Sequence, residues 1–372
     1  MKIKSVSIGY VSIPLVTPFK TALRTVDSVQ DLIVCVEAEN GEIGFGEAPP
    51  TAVITGDTKE SIEAAIRFYI APAVCGMDLD DPEAIFAAME KCIAKNTSAK
   101  AAVDIALYDL LAKLNRKPLF RLLGEQSGSS VRTELETDLT ISVNEIDEMV
   151  RDSISAVNQG FRILKVKVGK GGEKDVARIR EIRQAVGPDV LIRVDANQGW
   201  TREEAVRTIT MMEDAGLQIE LVEQPVSCHD FKGLKYVTDA CETPILADES
   251  VFSVEDAERI IEEHAADYLN IKLMKTGGIH NALRICDLAD QNGIRCMAGC
   301  MLESKVSVSA AAHLTGARSC ITMADLDGPS LCSIDPYEGG PIFEGAKIIL
   351  PDSLYGIGIS KVPADFEVVA SC

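Results

Sequence analysis

Between positions 163 and 272 the chain alternates short apolar runs, rich in β-branched residues, with longer stretches of helical period, and each run stops at a charged or amide residue. Lys165-Val166-Lys167 closes one run, Asp195-Ala196-Asn197 the next, followed by Glu223-Gln224-Pro225, Asp248-Glu249-Ser250 and Asn270-Ile271-Lys272. The steps from Lys167 to Asp195 and from Asp195 to Glu223 are 28 residues each, and the next two, to Asp248 and to Lys272, are 25 and 24. One strand, one helix and two short loops need about that length, so the interval predicts a repeated βα unit, the period of a β/α barrel. Helix starts agree: Thr201 and Ser253 each precede an acid three residues on (Glu204, Asp256), as in a capping box or its Asp variant.

The series extends in both directions. Positions 136–141 read as the first barrel strand, 295–298 and 320–325 as the last two. Upstream, strands are expected at 2–13, 31–39 and 42–46, with Asn40-Gly41 as a hairpin turn, and helices at 58–74, 82–94 and 98–114. Strands followed by helices describe an α+β unit. A Gly/Ser-rich stretch at 124–130 marks its boundary. Loops at 17–26, holding Lys20 and Arg24, and at 49–57 are natural lids, although loop cations are often merely solvated. The expected fold is α/β: an N-terminal α+β capping domain (1–125), a barrel (126–328), and a tail (329–372). The tail carries a strand at 346–350 and returns to the capping domain.

A length of 372 residues exceeds the roughly 250 of a bare barrel, which agrees with a second domain. A net charge of −20 excludes nucleic acid and anionic membrane surfaces as partners, since no basic cluster offsets it. The N-terminus alternates like a strand rather than a signal sequence, and no apolar run approaches a membrane span. Eleven scattered cysteines then read as reduced thiols of a cytoplasmic protein, with Cys296 and Cys300 packed rather than metal-binding.

In such barrels the strand C-termini meet at one mouth. Asp195, Glu223 and Asp248 would bring three carboxylates there, a hard-oxygen set that suits Mg²⁺; the bland alternative is N-capping of the following helices. Lys167 and Lys272 flank the acids from opposite sides, and lysine at the end of an apolar strand is unusual. Lys165 shares a face with Lys167 and, with a metal, would push it toward useful basicity. No histidine ends a strand in the series, which disfavours a histidine base. Val168-Gly-Lys-Gly-Gly172 lacks P-loop spacing and reads as a βα turn. Asp325 and Asp327 place two acids on one face of the last strand end, an arrangement that asks for a cation.

The set Lys165-x-Lys167, Asp195-x-Asn197, Glu223-Gln-Pro225, Asp248-Glu249-Ser250 and Asn270-Ile-Lys272 resembles the enolase superfamily, muconate-lactonizing subgroup, over essentially the whole chain. The resemblance implies a modified (β/α)7β TIM-type barrel with a capping domain, and one Mg²⁺ per subunit on Asp195, Glu223 and Asp248. It implies Lys167 and Lys272 as an acid/base pair passing a proton through an enediolate, with Asn197, Glu249 and Asn270 just outside the ligand set. In this superfamily a lysine or histidine base works beside Mg²⁺, and the resemblance carries that pairing to these residues. Asp325-x-Asp327 is similar to the dipeptide epimerase signature, in which the acids bind the substrate ammonium beside Lys165. Arg24 matches the position that meets a glutamate side chain in the alanyl-glutamate type. The implied activity is epimerisation of a dipeptide such as L-Ala-L-Glu, the implied setting peptidoglycan peptide metabolism, and the implied assembly a homo-oligomer. N-acylamino acid racemases and o-succinylbenzoate synthases share the metal and lysines but not the need for paired acids, and a non-catalytic barrel would have little reason to keep every position.

Overall fold

The computed structural model describes residues 1–21, 25–128, 130–169 and 171–372. Three antiparallel strands open the chain: β1 (Ile3–Lys20), β2 (Thr25–Ala38) and β3 (Ile43–Ala48). β1 and β2 outrun their predicted lengths because pairing resumes past an irregularity after Pro14, with Phe19 opposite Val26 and Lys20 opposite Thr25. The predicted loop at 17–26 is therefore flanked by paired strands, and belongs to the end of a hairpin arm. That arm is tied to the barrel: the Lys20 backbone N–H donates to Ser142 Oγ (3.0 Å) and its ammonium to Asn144 Oδ1 (2.8 Å). Of the predicted turn pair, Gly41 takes the left-handed conformation (φ +85°), while the Asn40 side chain accepts from the Glu42 N–H.

The helical stretch at 58–74 starts at Thr58, which exchanges hydrogen bonds with Ser61, and carries a wider turn over Ile66–Ile70 before Ala71–Val74. Pro82–Cys92 follows, then Thr97–Leu114, an alanine-rich helix that lies directly on β3. The approach is backbone to backbone. A Cβ added at Gly46 would fall 1.8 Å from the Ala102 carbonyl oxygen, and one at Gly44 would fall 2.0 Å from that of Ala106. Residues 124–127, in the expected boundary stretch, finish the helix Leu119–Ser127, which ends at Gly128 (φ +66°).

The predicted strand at 136–141 is split. β4 (Glu134–Glu136) runs outside the barrel and β5 (Leu139–Ile141) begins it, because Thr137 and Asp138 turn inward to close the sheet. The Asp138 N–H donates to the Ala324 carbonyl (3.3 Å) and Thr137 Oγ1 accepts from the Leu326 N–H (2.8 Å), joining first and eighth strands. Between them stand β6 (Ile163–Lys167), β7 (Leu191–Asp195), β8 (Ile219–Glu223), β9 (Ile245–Ala247), β10 (Tyr268–Ile271) and β11 (Arg295–Gly299), with β12 (Ile321–Asp325) last. All are parallel and neighbours follow chain order. A helix follows each of the first seven strands, whereas only the short turn Gly328–Leu331 follows the eighth, so the barrel is the (β/α)7β form.

Helix caps follow the side chains expected, with one difference. Ser253 and Asp256 form the reciprocal box; Thr201 accepts from the Glu204 N–H, but the Glu204 carboxylate turns to the Gly172 N–H instead. The glycine turn after β6 is a βα turn as predicted, its Gly169 and Gly171 N–H groups donating to Asp175.

The tail holds short strands. Of β13 (Glu338–Gly339), β14 (Ile342–Glu344), β15 (Lys347–Ile349), β16 (Ile359–Lys361) and β17 (Glu367–Ser371), the strand predicted near 346–350 is β15, and it pairs with β4 and β14 rather than with the N-terminal sheet. β17 makes that return, as the fourth strand beside β1. It brings Cys372 to Cys75, and the two form a disulfide, correcting the expectation of free thiols throughout. They are 297 residues apart, so only the folded sheet reveals the pair. No helix among the described residues is long and apolar enough to cross a membrane.

One buried carboxylate locks sheet to barrel. Glu47, at the end of β3, accepts from the N–H groups of Ser304 (3.1 Å) and Ser307 (2.8 Å) at the start of the helix Lys305–Ala317. Because β3 is seated by Gly44 and Gly46, its exit loop is carried to the barrel mouth. Gly46→Ala should therefore lower stability by about 2 kcal/mol through overpacking, read as a lowered urea midpoint with an unchanged slope; a midpoint equal to the parent's would show that strand and helix are not in contact.

Candidate active site

Strand register stacks the inward side chains in layers. Lys165, Arg193 and Leu221 pair in one layer and Lys167, Asp195 and Glu223 in the layer above, at the C-terminal edge. Asp248 follows β9 by one residue, Lys272 follows β10 by one, and Asp325 ends β12. Since β6 and β10 are four places apart in an eight-strand barrel, Lys167 and Lys272 enter from opposite sides. All of these residues are buried.

The carboxylates do not cap helices, as the alternative reading had it; Thr201, Asp230 and Ser253 do that work. Lys167 Nζ lies 2.6 Å from Asp195 Oδ2, and Lys272 Nζ 2.7 Å from Asp248 Oδ2. Lys165 Nζ sits among Asp325 (2.6 Å), Glu223 (2.7 Å) and Asp195 (3.1 Å). Asn270 Nδ2 donates to Glu223 Oε1 (3.0 Å), and Asn197 reaches both Asp195 and Glu249 at 3.4 Å. Asp327 Oδ2 accepts from the Thr140 N–H (2.7 Å), which fixes it beside Asp325.

Charge follows from these contacts. Burial alone would neutralise Asp195 and Asp248, but the lysines offset it and hold both carboxyls below their ordinary range. Burial likewise opposes the Lys165 and Lys272 ammoniums, and the surrounding acids more than offset that, so both are held charged. Glu223, buried next to Asp195, is pushed up to about 8, and Glu249, buried next to Asp248, to about 7. Asp325 drops to about 2 because Lys165 outweighs its burial, while Asp327, buried beside Asp325, rises to about 6.

Among the described residues no three or more His, Cys, Asp or Glu side chains converge as a metal shell, the ammoniums standing between them. The donor set nevertheless fits a hard divalent ion. Glu223 Oε2 and Glu249 Oε2 are buried without a hydrogen-bond partner; the Lys165 contact to Glu223 Oε2 is ionic, outside hydrogen-bond geometry. Asn270 Oδ1 and Asn197 Oδ1 are buried and unpartnered as well.

Above this floor is a cavity roofed by both cap segments. Phe19 and Thr21 from the hairpin arm and Thr51, Val53 and Ile54 from the 49–57 loop face Lys167, Lys272, Asp325 and Asp327 across it. The expected lid positions are thus at the mouth, though Arg24 lies outside the described residues. Three groups escaped the sequence reading. Arg193 supports the floor from below through Asp138 (2.9 Å) and Glu220 (2.7 Å), and its position two before Asp195 put it on the same face. Lys275, three after Lys272, carries the other oxygen of Asp248 (2.6 Å). Gly299 leaves room for Lys272, whose Cε an added Cβ would approach to 2.9 Å.

Comparison with known proteins gives the family. Residues 4–124 match the model of the mandelate racemase/muconate lactonizing enzyme N-terminal domain, and residues 148–363 match the enolase C-terminal domain-like model. The chain is 53% identical to an L-Ala-D/L-Glu epimerase of Clostridium acetobutylicum, over 97% of this chain and 99% of that protein. It superposes on the substrate-liganded L-Ala-D/L-Glu epimerase of Bacillus subtilis with a TM-score of 0.94 at 47% identity, covering 98% and 100% of the two chains. The dipeptide epimerase of Enterococcus faecalis complexed with Mg and L-Leu-L-Tyr gives 0.92 at 42% identity, over 97% and 100%. The chain therefore belongs to the enolase superfamily, with the N- and C-terminal domains of its mandelate racemase/muconate lactonizing group.

Proposed function

We propose that this chain is a dipeptide epimerase, an isomerase that inverts the α-carbon of the C-terminal residue of a dipeptide such as L-Ala-L-Glu. The observation that carries the reading is the pair of lysines on diametrically opposed strands, with buried carboxylates between them and a second acid pair at the rim. The activities named for the relatives support it.

Asp195, Glu223 and Asp248 would hold one Mg²⁺. When bound, the ion supplies positive charge opposite the substrate carboxylate, where negative charge builds as the α-proton leaves. The chain's own residues do the rest. Lys167 takes the α-proton of the L-epimer from one face. Lys272, held as ammonium by Asp248, delivers a proton to the other, and the roles exchange in the reverse direction. The cap segments over the cavity exclude water from that exchange. Asp325 and Asp327 take the substrate's α-ammonium, with Asp327 oriented by the Thr140 N–H and Asp325 by Lys165. Selection of an acidic side chain is assigned to Arg24 on the resemblance alone.

Lys272→Ala should lose epimerisation of L-Ala-L-Glu by roughly 10²- to 10⁴-fold, the usual worth of a positioned acid or base, while α-deuterium still enters the L-epimer in D₂O through Lys167. Proton NMR reads both; a variant that epimerises like the parent would rule out the two-base scheme.

Asp327 must be ionised to meet an ammonium, and its carboxyl titrates at about 6. It is therefore competent above that pH and neutralised below it, so kcat/KM for the dipeptide should fall on the acid side of about 6. Asp327→Asn should lower kcat/KM for L-Ala-L-Glu by roughly 10- to 100-fold, the loss of a charge-assisted hydrogen bond, and spare N-acetylglutamate. Equal losses on both substrates would remove the ammonium-binding role. Treatment with EDTA should abolish turnover and added Mg²⁺ restore it; undiminished turnover after exhaustive chelation would overturn the metal assignment.

A further inference from the structure

Lys275 lies on the one-turn helix Leu273–Thr276 with 0% of its surface accessible. Its ammonium has three N–H groups and meets three acceptors: Asp248 Oδ1 at 2.6 Å, the Asn270 carbonyl at 3.0 Å and the Asp248 carbonyl. Phe252 closes the remaining side, its ring centroid 5.9 Å from Nζ. Every donor is engaged, and Lys275 is not among the groups lining the cavity, so it neither touches a substrate nor carries its proton.

Its effect falls on Asp248. Lys272 and Lys275, three residues apart, both reach back to that carboxylate, and they divide it: Lys275 takes Oδ1, Lys272 takes Oδ2 at 2.7 Å. With Oδ1 pinned from behind, only Oδ2 is left to face the mouth. The same ammonium bridges the exits of β9 and β10 through two carbonyls, and Asn270 passes the constraint on to Glu223 Oε1. An unpinned carboxylate would turn about its side-chain torsions and carry Lys272 with it.

We infer that Lys275 is a positioning residue: by holding Asp248 Oδ1 and the carbonyls of Asp248 and Asn270, it aims Asp248 Oδ2 at the barrel mouth and so places Lys272 and the divalent ion. The inference rests on the function proposed above and adds a residue to it. Lys100 supplies the contrast, a lysine also buried but paired with Glu90 (2.8 Å) rather than with a carboxylate of the floor.

The test compares the parent with Lys275→Met, Lys275→Gln and Lys100→Met. Mg²⁺ affinity is measured by calorimetry without substrate, and α-deuterium exchange is followed separately for L-Ala-L-Glu and L-Ala-D-Glu in D₂O. Lys275→Met should weaken Mg²⁺ binding by roughly 10- to 100-fold, as loss of an outer partner of a ligand does. It should slow exchange from the D-epimer, which Lys272 serves, at least several-fold more than exchange from the L-epimer. Lys275→Gln, which retains a donor, should fall between Met and the parent, and Lys100→Met should change neither readout. Parent-like Mg²⁺ affinity with an unchanged ratio of the two exchange rates in folded Lys275→Met would overturn the inference. So would equal slowing of both epimers with no change in affinity, or failure of both Lys275 variants to fold, which would make the residue purely structural. A parent that neither binds Mg²⁺ nor exchanges either epimer would instead overturn the proposed function.

Discussion

Everything at the barrel mouth depends on keeping several carboxylates and ammoniums out of water at once. A pair at about 2.7 Å attracts by roughly 6 kcal/mol at an effective dielectric near 20, yet each buried ion costs several kcal/mol in lost hydration. The arrangement stands because its central charges share partners. Lys165 answers to three acids and Asp248 to two lysines, with Arg193 supporting the layer beneath. A hydrophobic core would be cheaper to build. In the function proposed above this layer takes up a cation and a carboxylate, and Glu249 Oε2, buried without a hydrogen-bond partner, marks where the balance is incomplete.

The fold meets that demand through register. Parallel strands whose inward residues align layer by layer bring Lys167, Asp195 and Glu223 side by side without any contact between them in sequence. Because β6 and β10 are diametric, the two amines approach from opposite faces, which is the geometry that inversion at carbon requires and that neighbouring strands could not provide. The N-terminal sheet contributes a roof. Its position is set by a backbone contact at Gly44 and Gly46, a carboxylate of Glu47 inserted into a helix start, and the Lys20 bonds to the loop after β5.

Much of this was legible in the residues because a barrel writes its period into the chain. Strand ends at near-constant spacing located the acids and lysines to the residue, and period-two alternation put Lys165 beneath Lys167. What escaped was non-local. Thr137 and Asp138 interrupt a strand-like run because they close the barrel against Ala324 and Leu326, partners almost 190 positions away. β15 chose β4 over the N-terminal sheet, and Cys75 met Cys372, through pairings that no local pattern encodes. The hairpin arm read as a loop because Pro14 and Pro18 interrupt its alternation while pairing resumes beyond them. Lys275 and Arg193 were within reach, since helical and strand periodicity place them on the faces of Lys272 and Asp195; their burial was not.

The central claim is geometric: one bound carboxylate with an amine on either side of its α-carbon. A crystal structure of the protein with Mg²⁺ and L-Ala-L-Glu tests it most directly. The account requires the substrate carboxylate on an ion held by Asp195, Glu223 and Asp248, with Lys167 and Lys272 facing opposite sides of the α-carbon. Both amines on one side, or an α-carbon out of reach of either, would contradict it.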